Sequence, residues 1–330
     1  MKKIVVRRPG GPEALEIVEC ADPVVGEGQV LVDIRAVGLN WSEVMIRSGQ
    51  WPVELGAGFT LGAEAAGVVE KVGPEVFQIQ PGQKVALFDI NSYWFPEQGT
   101  YAEKIVVEAD KILPVPEDWD FATAASVPMA MLTAYDAMVF HSPLPEEGVV
   151  VVTAATGAVG IAAIQIAKRS GLRVIGTSRD KTKSSLISGL GAEAVIEFDP
   201  QRLKEKISAL VGEVGVDYVF DPINGETASR LLEIMAKDGA YVYYGTLGGN
   251  QFTVPPNCLF HQVRIDGYVV LMNMDDGALL QEVWDEILPL LETREVQIPV
   301  ARTFPWEKAA EAHRAMESHR HFGKLVLVRE

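Results

Sequence analysis

Cysteine is almost absent from this chain: Cys20 and Cys258 are the only two among 330 residues. Neither a disulfide framework nor a cysteine-rich metal site can be assembled from them, and a reducing compartment suits such a composition. Neither thiol has a histidine or a basic residue beside it to hold it as a reactive thiolate. Basic runs are missing too. The 29 Lys and Arg stand against 45 Asp and Glu, for a net charge of -16, which leaves no place for a phosphate-backbone footprint and excludes nucleic acid as an expected partner. Long apolar stretches are also lacking. The opening Met1-Lys2-Lys3 leads into a short apolar run broken by Arg7 and Arg8, neither a signal segment nor a membrane span. Val149 to Val152 and Ile161 to Ala167 are far shorter than a bilayer crossing. No membrane partner is expected, and the expected location is cytoplasmic. No internal repeat or low-complexity tract interrupts the chain.

What the chain does have is enough apolar material for two cores: 48% hydrophobic and 22% charged residues over a length that is long for one domain. Two textures alternate. Up to about Glu117, short apolar runs (Val30 to Ile34, Gly67 to Val72, Lys84 to Phe88, Tyr101 to Val107) are separated by Gly, Pro, Asn and Asp, which predicts a small all-β barrel or sandwich. From Gly148 onward strand and helix alternate, the pattern of a parallel sheet with covering helices. Strands are predicted at Val149 to Thr153, Arg173 to Ser178, Ala194 to Phe198, Asp217 to Asp221, Ala240 to Gly245 and Ile265 to Leu271. Helices are predicted at Ile161 to Ser170, Lys181 to Leu190, Gln201 to Val211 and Glu226 to Lys237. This is an α/β, doubly wound Rossmann arrangement. After Leu271 the alternation stops: a helix Gly277 to Leu291, a strand Gln297 to Arg302, a helix Trp306 to Ser318 and a strand Lys324 to Val328 are expected to return to the first domain. The expected domains are 1-123 with 272-330, and 124-271.

The first strand-to-helix turn of that Rossmann pattern reads Thr153-Ala154-Ala155-Thr156-Gly157-Ala158-Val159-Gly160, between four valines and an amphipathic helix. Gly157 lets the backbone approach a pyrophosphate, Gly160 allows helix to pack on strand, and the helix N-terminus offers free N-H groups. Ala155 stands where the first glycine of the dinucleotide fingerprint is usual. Roughly 20 residues on, where an NAD site carries an acidic residue for the ribose, the chain has Ser178, Arg179, Asp180 and Lys183. Hydroxyl, guanidinium and ammonium suit a 2′-phosphate, and so NADP(H). Asp180 carries the contrary sign: with its carboxylate on the ribose, the preference would turn to NADH.

Taken together, GLNWSEVMIRSG at Gly38 to Gly49, LGAEAAGVVEKVG at Leu61 to Gly73, PGQKVA at Pro81 to Ala86, the AATGAVG loop, FDPINGE at Phe220 to Glu226 and FGKLVLV near the end resemble the medium-chain dehydrogenases/reductases. Within that superfamily the chain is similar to the zinc-independent quinone oxidoreductase, or zeta-crystallin-like, group, over essentially its whole length. The resemblance implies that the first domain is a discontinuous GroES-like β-barrel. It also implies no metal: zinc-dependent members carry a cysteine where Asn40 stands and a histidine where Ala63 stands, before a glutamate matching Glu64, and a catalytic zinc needs about three protein ligands. The five histidines, His141, His261, His313, His319 and His321, show no ligand spacing and read as surface or capping residues, the last two in a solvated basic patch.

Without a Lewis acid, the accessible acceptors are those that already delocalise the incoming negative charge, quinones and activated enones. The implied activity is hydride transfer from NADPH to such an acceptor. Enoyl-thioester reduction and a non-catalytic NADPH-binding role remain open alternatives; Trp51 stands where enoyl-thioester reductases place a tyrosine proton donor. By resemblance Asn40 and Thr133 line the nicotinamide and substrate site, and Met45 stands where quinone relatives often have tyrosine. Trp51, Trp94 and Trp41 are candidates to stack on a flat acceptor. Further cofactor contacts carried over by position are Val159, Asn224, Gly245, Thr246, Leu271 and Lys324. Relatives commonly dimerise through the Rossmann sheet edge, here DGYVVL, so a homodimer is expected.

Overall fold

The valines Val149–Val152, all buried, form an inner strand of a six-stranded sheet in a computed structural model that describes residues 1–51, 53–55, 58–95 and 97–329. β-branched side chains on both faces suit a strand covered by helices on either side. The chain divides into two compact units, Met1–Ala130 with Leu271–Glu330, and Met131–Val270.

In the second unit every strand pairing is parallel. The order from edge to edge is Ala194–Glu197, Arg173–Ser178, Val149–Val152, Val216–Asp221, Met235–Tyr243, Arg264–Gly267. Chain order therefore reverses between Val149–Val152 and Val216–Asp221, the switch point at which doubly wound sheets bind ligands. Helices Ala158–Arg169, Ser184–Gly189, Leu203–Val211 and Glu226–Leu232 connect the strands. Ile175, Ile207, Val219, Leu231 and Tyr241 lie in one of its cores.

Three sequence boundaries are corrected here. The sixth strand stops at Gly267, and Val270–Asn273 is helical, because Tyr268 turns inward and donates to Asp136 at 2.7 Å while Leu271 is buried in that short helix. The helix from Glu226 ends at Leu232, and its strand already begins at Met235. Lys181–Lys183 forms a separate 3-10 turn before the helix Ser184–Gly189, because Asp180 caps it.

Among the described residues the first unit holds two sheets. The larger runs Val300–Pro305, Lys324–Val328, Gln29–Gly38, Glu64–Val72, Lys84–Phe88, Ile112–Leu113, with Lys104–Glu108 also paired to Gln29–Gly38. The last strand, Lys324–Val328, thus lies antiparallel to residues near the start of the chain, Val326 opposite Gly38. The expected strand Gln297 to Arg302 sits three residues later, at Val300–Pro305. The short helix Phe121–Ser126 covers this sheet with Ala124 and Ala125 against Ala36, Ala66 and Val326. A second sheet joins Leu15–Glu19, Lys2–Val6 and Phe59–Thr60. No helix among the described residues is long and apolar enough to cross a membrane.

His313 is not a surface residue. It lies on the inner face of the helix Ala309–Glu317 with Ala309, Ala312 and Met316, and its Nε2 meets the buried Tyr101 hydroxyl at 3.0 Å. Arg47, also buried, pairs with Glu317 at 2.6 Å in the same unit. Burial, assisted by the Arg47 charge, pushes the His313 imidazole down to about 3. The unfolded chain, with an ordinary imidazole, then binds more protons between about pH 6.5 and 3, so this group favours the fold above that window and opposes it increasingly as pH falls through it. His313→Gln is expected to flatten the acid loss of stability by about 1 kcal/mol per pH unit, measured as denaturant midpoints at a series of pH values from 7 to 4.

Candidate functional site

At the carboxyl ends of the first, second, fourth and fifth parallel strands of the second unit, hydrogen bonds lace the chain into one lip. Ala155 N-H donates to Thr177 O at 3.0 Å, joining the first two loops. The buried Asp221 carboxylate, at the end of Val216–Asp221, accepts from the Thr153 hydroxyl, from Ile223 N at 3.0 Å, from Asn224 N at 2.7 Å and from the Tyr241 hydroxyl at 2.6 Å. Leu247 N-H donates to Pro222 O at 3.0 Å and Gly248 N-H to Ile223 O, joining the next pair. A buried charge with this many donors is held in one place, and it fixes the loops around it.

Within the first loop the two glycines differ in role. A Cβ on Gly160 would lie 2.7 Å from Ala154 O and 3.0 Å from Ala155 Cα, so only glycine lets the helix pack this closely. A Cβ on Gly157 would meet nothing nearer than 3.6 Å, leaving the backbone open to a ligand at the N-terminus of the twelve-residue helix Ala158–Arg169. Ala155 is accommodated because Gly176 faces it: a Cβ there would come within 3.2 Å of the Ala155 methyl. Asn224, buried with a left-handed φ of 60°, has no hydrogen-bond partner for its Oδ1 among the described residues. Gly157, the helix N-terminus and this acceptor fit a dinucleotide. Val159 is half-buried beside them, Gly245 packs on Pro222, and Thr246 is exposed on the fifth loop.

At the second loop the Asp180 carboxylate is engaged by its own turn, accepting from Thr182 N at 3.0 Å and Thr182 Oγ1 at 2.6 Å. Those hydrogen bonds hold its carboxyl below the ordinary range. Lys183 lies 3.9 Å from Asp180, and its burial lowers its ammonium pKa. Ser178 Oγ closes a local ring with the Asp180 backbone, at 3.0 and 3.1 Å, while Arg179 is exposed.

The first unit contains a second polar cluster, around Asn40. Asn40 precedes the helix Trp41–Ser48, and its backbone N-H is capped by the Glu43 carboxyl. The Asn40 amide Nδ2 donates to Glu64 Oε1 at 2.9 Å, and its Oδ1 accepts from Lys324 Nζ at 2.5 Å. Lys324 is ion-paired with Glu64, whose other oxygen accepts from Met129 N at 2.8 Å. Gly38 makes room for this pair, since a Cβ there would lie 2.4 Å from Glu64 Oε1. Glu43 is fully buried. Burial, with the Glu64 charge added and Lys324 opposing, pushes its carboxyl up to about 8, so at neutral pH it holds its proton. Tyr93 OH lies 3.3 Å from Glu43 Oε1 and 2.6 Å from Ser42 Oγ.

Of the residues expected at the site, Asn40 and Lys324 are in contact, and so are Trp51 and Trp94, with ring centroids 6.0 Å apart. Trp51 also stands 5.6 Å from Tyr93, and its indole N-H is buried with no partner among the described residues. Met45 O accepts from Trp51 N at 3.2 Å, and its side chain is half-buried. Trp41 stacks instead on His319 at 4.8 Å. Thr133 is buried in the helix Pro128–Tyr135, in the other unit. Leu271 is buried in the helix Val270–Asn273. Glu43, Ser42 and Tyr93 escaped sequence reasoning. The Asn-x-x-Glu spacing of a helix start was the one available signal for Glu43. Among the described residues no three His, Cys, Asp or Glu side chains are grouped to hold a metal, and Glu64 is taken by Lys324, Asn40 and Met129. The donor set does not fit zinc.

Residues 26–117 match the family described as alcohol dehydrogenase GroES-like domain, and residues 158–293 the one described as zinc-binding dehydrogenase. The mouse quinone oxidoreductase is 30% identical over 333 residues, 99% of this chain and 98% of the relative. A Pseudomonas aeruginosa quinone oxidoreductase is 30% identical over 331 residues, covering 99% of each chain. The crystal structure of Escherichia coli quinone oxidoreductase complexed with NADPH superposes with a TM-score of 0.89 at 27% identity, covering 100% of both chains. With its doubly wound sheet, its interrupted β unit and relatives matched over nearly all of its length, this chain belongs to the quinone oxidoreductases of the medium-chain dehydrogenase/reductase family.

Proposed function

We propose that the protein is an NADPH-dependent, zinc-independent reductase of quinones or activated enones, working in the cytoplasm. One observation carries this reading: the fingerprint loop is open at Gly157, while the place where zinc-dependent relatives bind metal is filled by the Asn40–Lys324–Glu64 cluster. NADPH, when bound, supplies the hydride. Gly157 and the helix N-terminus would take the pyrophosphate; Ser178, Arg179 and Lys183 the 2′-phosphate; Val159, Asn224, Gly245, Thr246 and Leu271 the rest of the nucleotide. Asn40 and Thr133 keep the positions near the nicotinamide that the resemblance gives them, with Lys324 acting through Asn40. Trp51, Trp94 and Met45 would receive a flat, apolar acceptor. The engagement of Asp180 Oδ1 by Thr182 supports giving the 2′-phosphate to the exposed Arg179 rather than the ribose to Asp180. The protomers would pair through the Arg264–Gly267 edge, whose flanking residues Leu259, Phe260 and Val269 are exposed.

The test is loss of reduced-nicotinamide absorbance with a simple quinone, with chelator present, comparing NADPH and NADH. Turnover favouring NADPH is expected; none with any quinone or enone would sink the reading. Arg179→Ala is expected to raise KM for NADPH about 10- to 100-fold, as for a lost charged hydrogen bond, while KM for NADH changes little. Equal losses with both cofactors would take the 2′-phosphate role away from Arg179. Phe260→Asp combined with Leu259→Asp is expected to shift a dimer to monomer in sedimentation equilibrium, and an unchanged mass would move the interface elsewhere.

A further inference from the structure

The proposed hydride transfer leaves the acceptor with a negative oxygen, and none of the residues assigned so far supplies a proton. Trp51 cannot, since an indole N-H is a poor acid. The first unit does hold a proton in an unusual place. Glu43 is fully buried, yet its carboxyl is more than a helix cap: Tyr93 OH lies 3.3 Å from it, and Ser42 Oγ lies 2.6 Å beyond Tyr93. Glu43 and Tyr93 are fully buried and Ser42 is half-buried, so Ser42 is the member of this chain that is not sealed in the core. Trp51, a proposed acceptor contact, stands over Tyr93 with centroids 5.6 Å apart.

We propose that Glu43 is the proton reservoir for the reduced acceptor, delivering through Tyr93 and Ser42. This rests on the reductase reading. As the acceptor gains the hydride and NADPH is oxidised, the electron pair settles on the acceptor oxygen. The Ser42 O-H bond breaks and a new O-H bond forms on that oxygen. The Tyr93 hydroxyl proton replaces the one lost by Ser42, and the Glu43 carboxyl proton replaces that of Tyr93. Glu43 is left as a carboxylate and recovers its proton from solvent.

The surroundings suit a group that must hold a proton and then release it. The Asn40 backbone N-H, just before its helix, donates to the Glu43 carboxyl, and Arg47 lies one turn on. Glu64, Tyr93, Tyr101 and Lys324 face it from other elements. Burial makes the carboxyl hold its proton, while the Lys324 ammonium favours the carboxylate once the proton has left. Burial likewise keeps the Tyr93 hydroxyl far above its ordinary range, so Tyr93 relays a proton without ionising. The acid is the active form, so the rate is present below about pH 8 and falls as pH rises through that value.

Infrared titration of the protein without cofactor reads the reservoir directly: a buried carboxylic C=O band at pH 7, lost as pH rises through about 8 and missing in Glu43→Gln, is expected. With NADPH and a quinone, Glu43→Gln and Tyr93→Phe are expected to lower kcat by about 100-fold, a typical general-acid contribution. NADPH affinity should stay within about twofold, and the alkaline limb and solvent deuterium effect on kcat should be lost. Ser42→Ala, the mildest substitution, should show the same loss if the larger variants are destabilised. An active unaltered protein whose kcat and pH profile survive Glu43→Gln, or no protonated carboxyl band at pH 7, would overturn the relay alone. No turnover of the unaltered protein would overturn the reductase reading and the relay with it.

Discussion

The first unit depends on one buried ion pair. Lys324 and Glu64 are 3% and 0% exposed at their side chains, and between them they tie the last strand, Lys324–Val328, to Glu64–Val72. Two charges taken from water in this way are tolerated only when their remaining donors and acceptors are met. Here Asn40 and the Met129 amide meet them. Removing either partner would strand the other charge, a loss of about 3–5 kcal/mol in comparable buried pairs. The same pair settles which way the Asn40 amide faces, because an ammonium can only be met by the carbonyl oxygen. The ion pair thus fixes both ends of the Asn40 side chain.

The second unit is organised around a different buried charge. Asp221 gathers donors from the first, fourth and fifth strands of its sheet. The loops it ties together are the ones that the dinucleotide reading needs to hold still. Pre-ordering them before a ligand arrives lowers the conformational cost of binding.

Much of this was legible in the residues themselves. The Val149 run, the Arg173–Ser178 strand and the terminal Lys324–Val328 strand all follow from apolar runs of strand length bounded by turn residues. Legibility failed where tertiary contacts override local pattern. DGYVVL reads as one strand, but Tyr268 finds a buried carboxylate and the chain turns after Gly267. His313 reads as a surface histidine, since a helix of alternating Ala, Glu and Arg does not announce which face is covered. The Glu43–Tyr93 contact joins residues separated by 50 positions, and no short-range pattern encodes it. Asn40 and Lys324 were both singled out, but that they touch is a property of the sheet register, with Val326 opposite Gly38.

The close approach of Ala155 to Gly176 has a wider consequence. The fingerprint position lacks its customary glycine, and the strand facing it has one, where a Cβ would stand 2.8 Å from Ile187 Cγ2 and 3.2 Å from the Ala155 methyl. Neither position is then free to vary alone: adding a methyl at 176 would crowd the turn, and removing the one at 155 would open a void behind it. Because Ile187 crowds the same spot more closely, trimming position 155 to glycine would not by itself make room for a side chain at 176. A pattern search that scores position 155 without position 176 would pass over chains that fold in the same way.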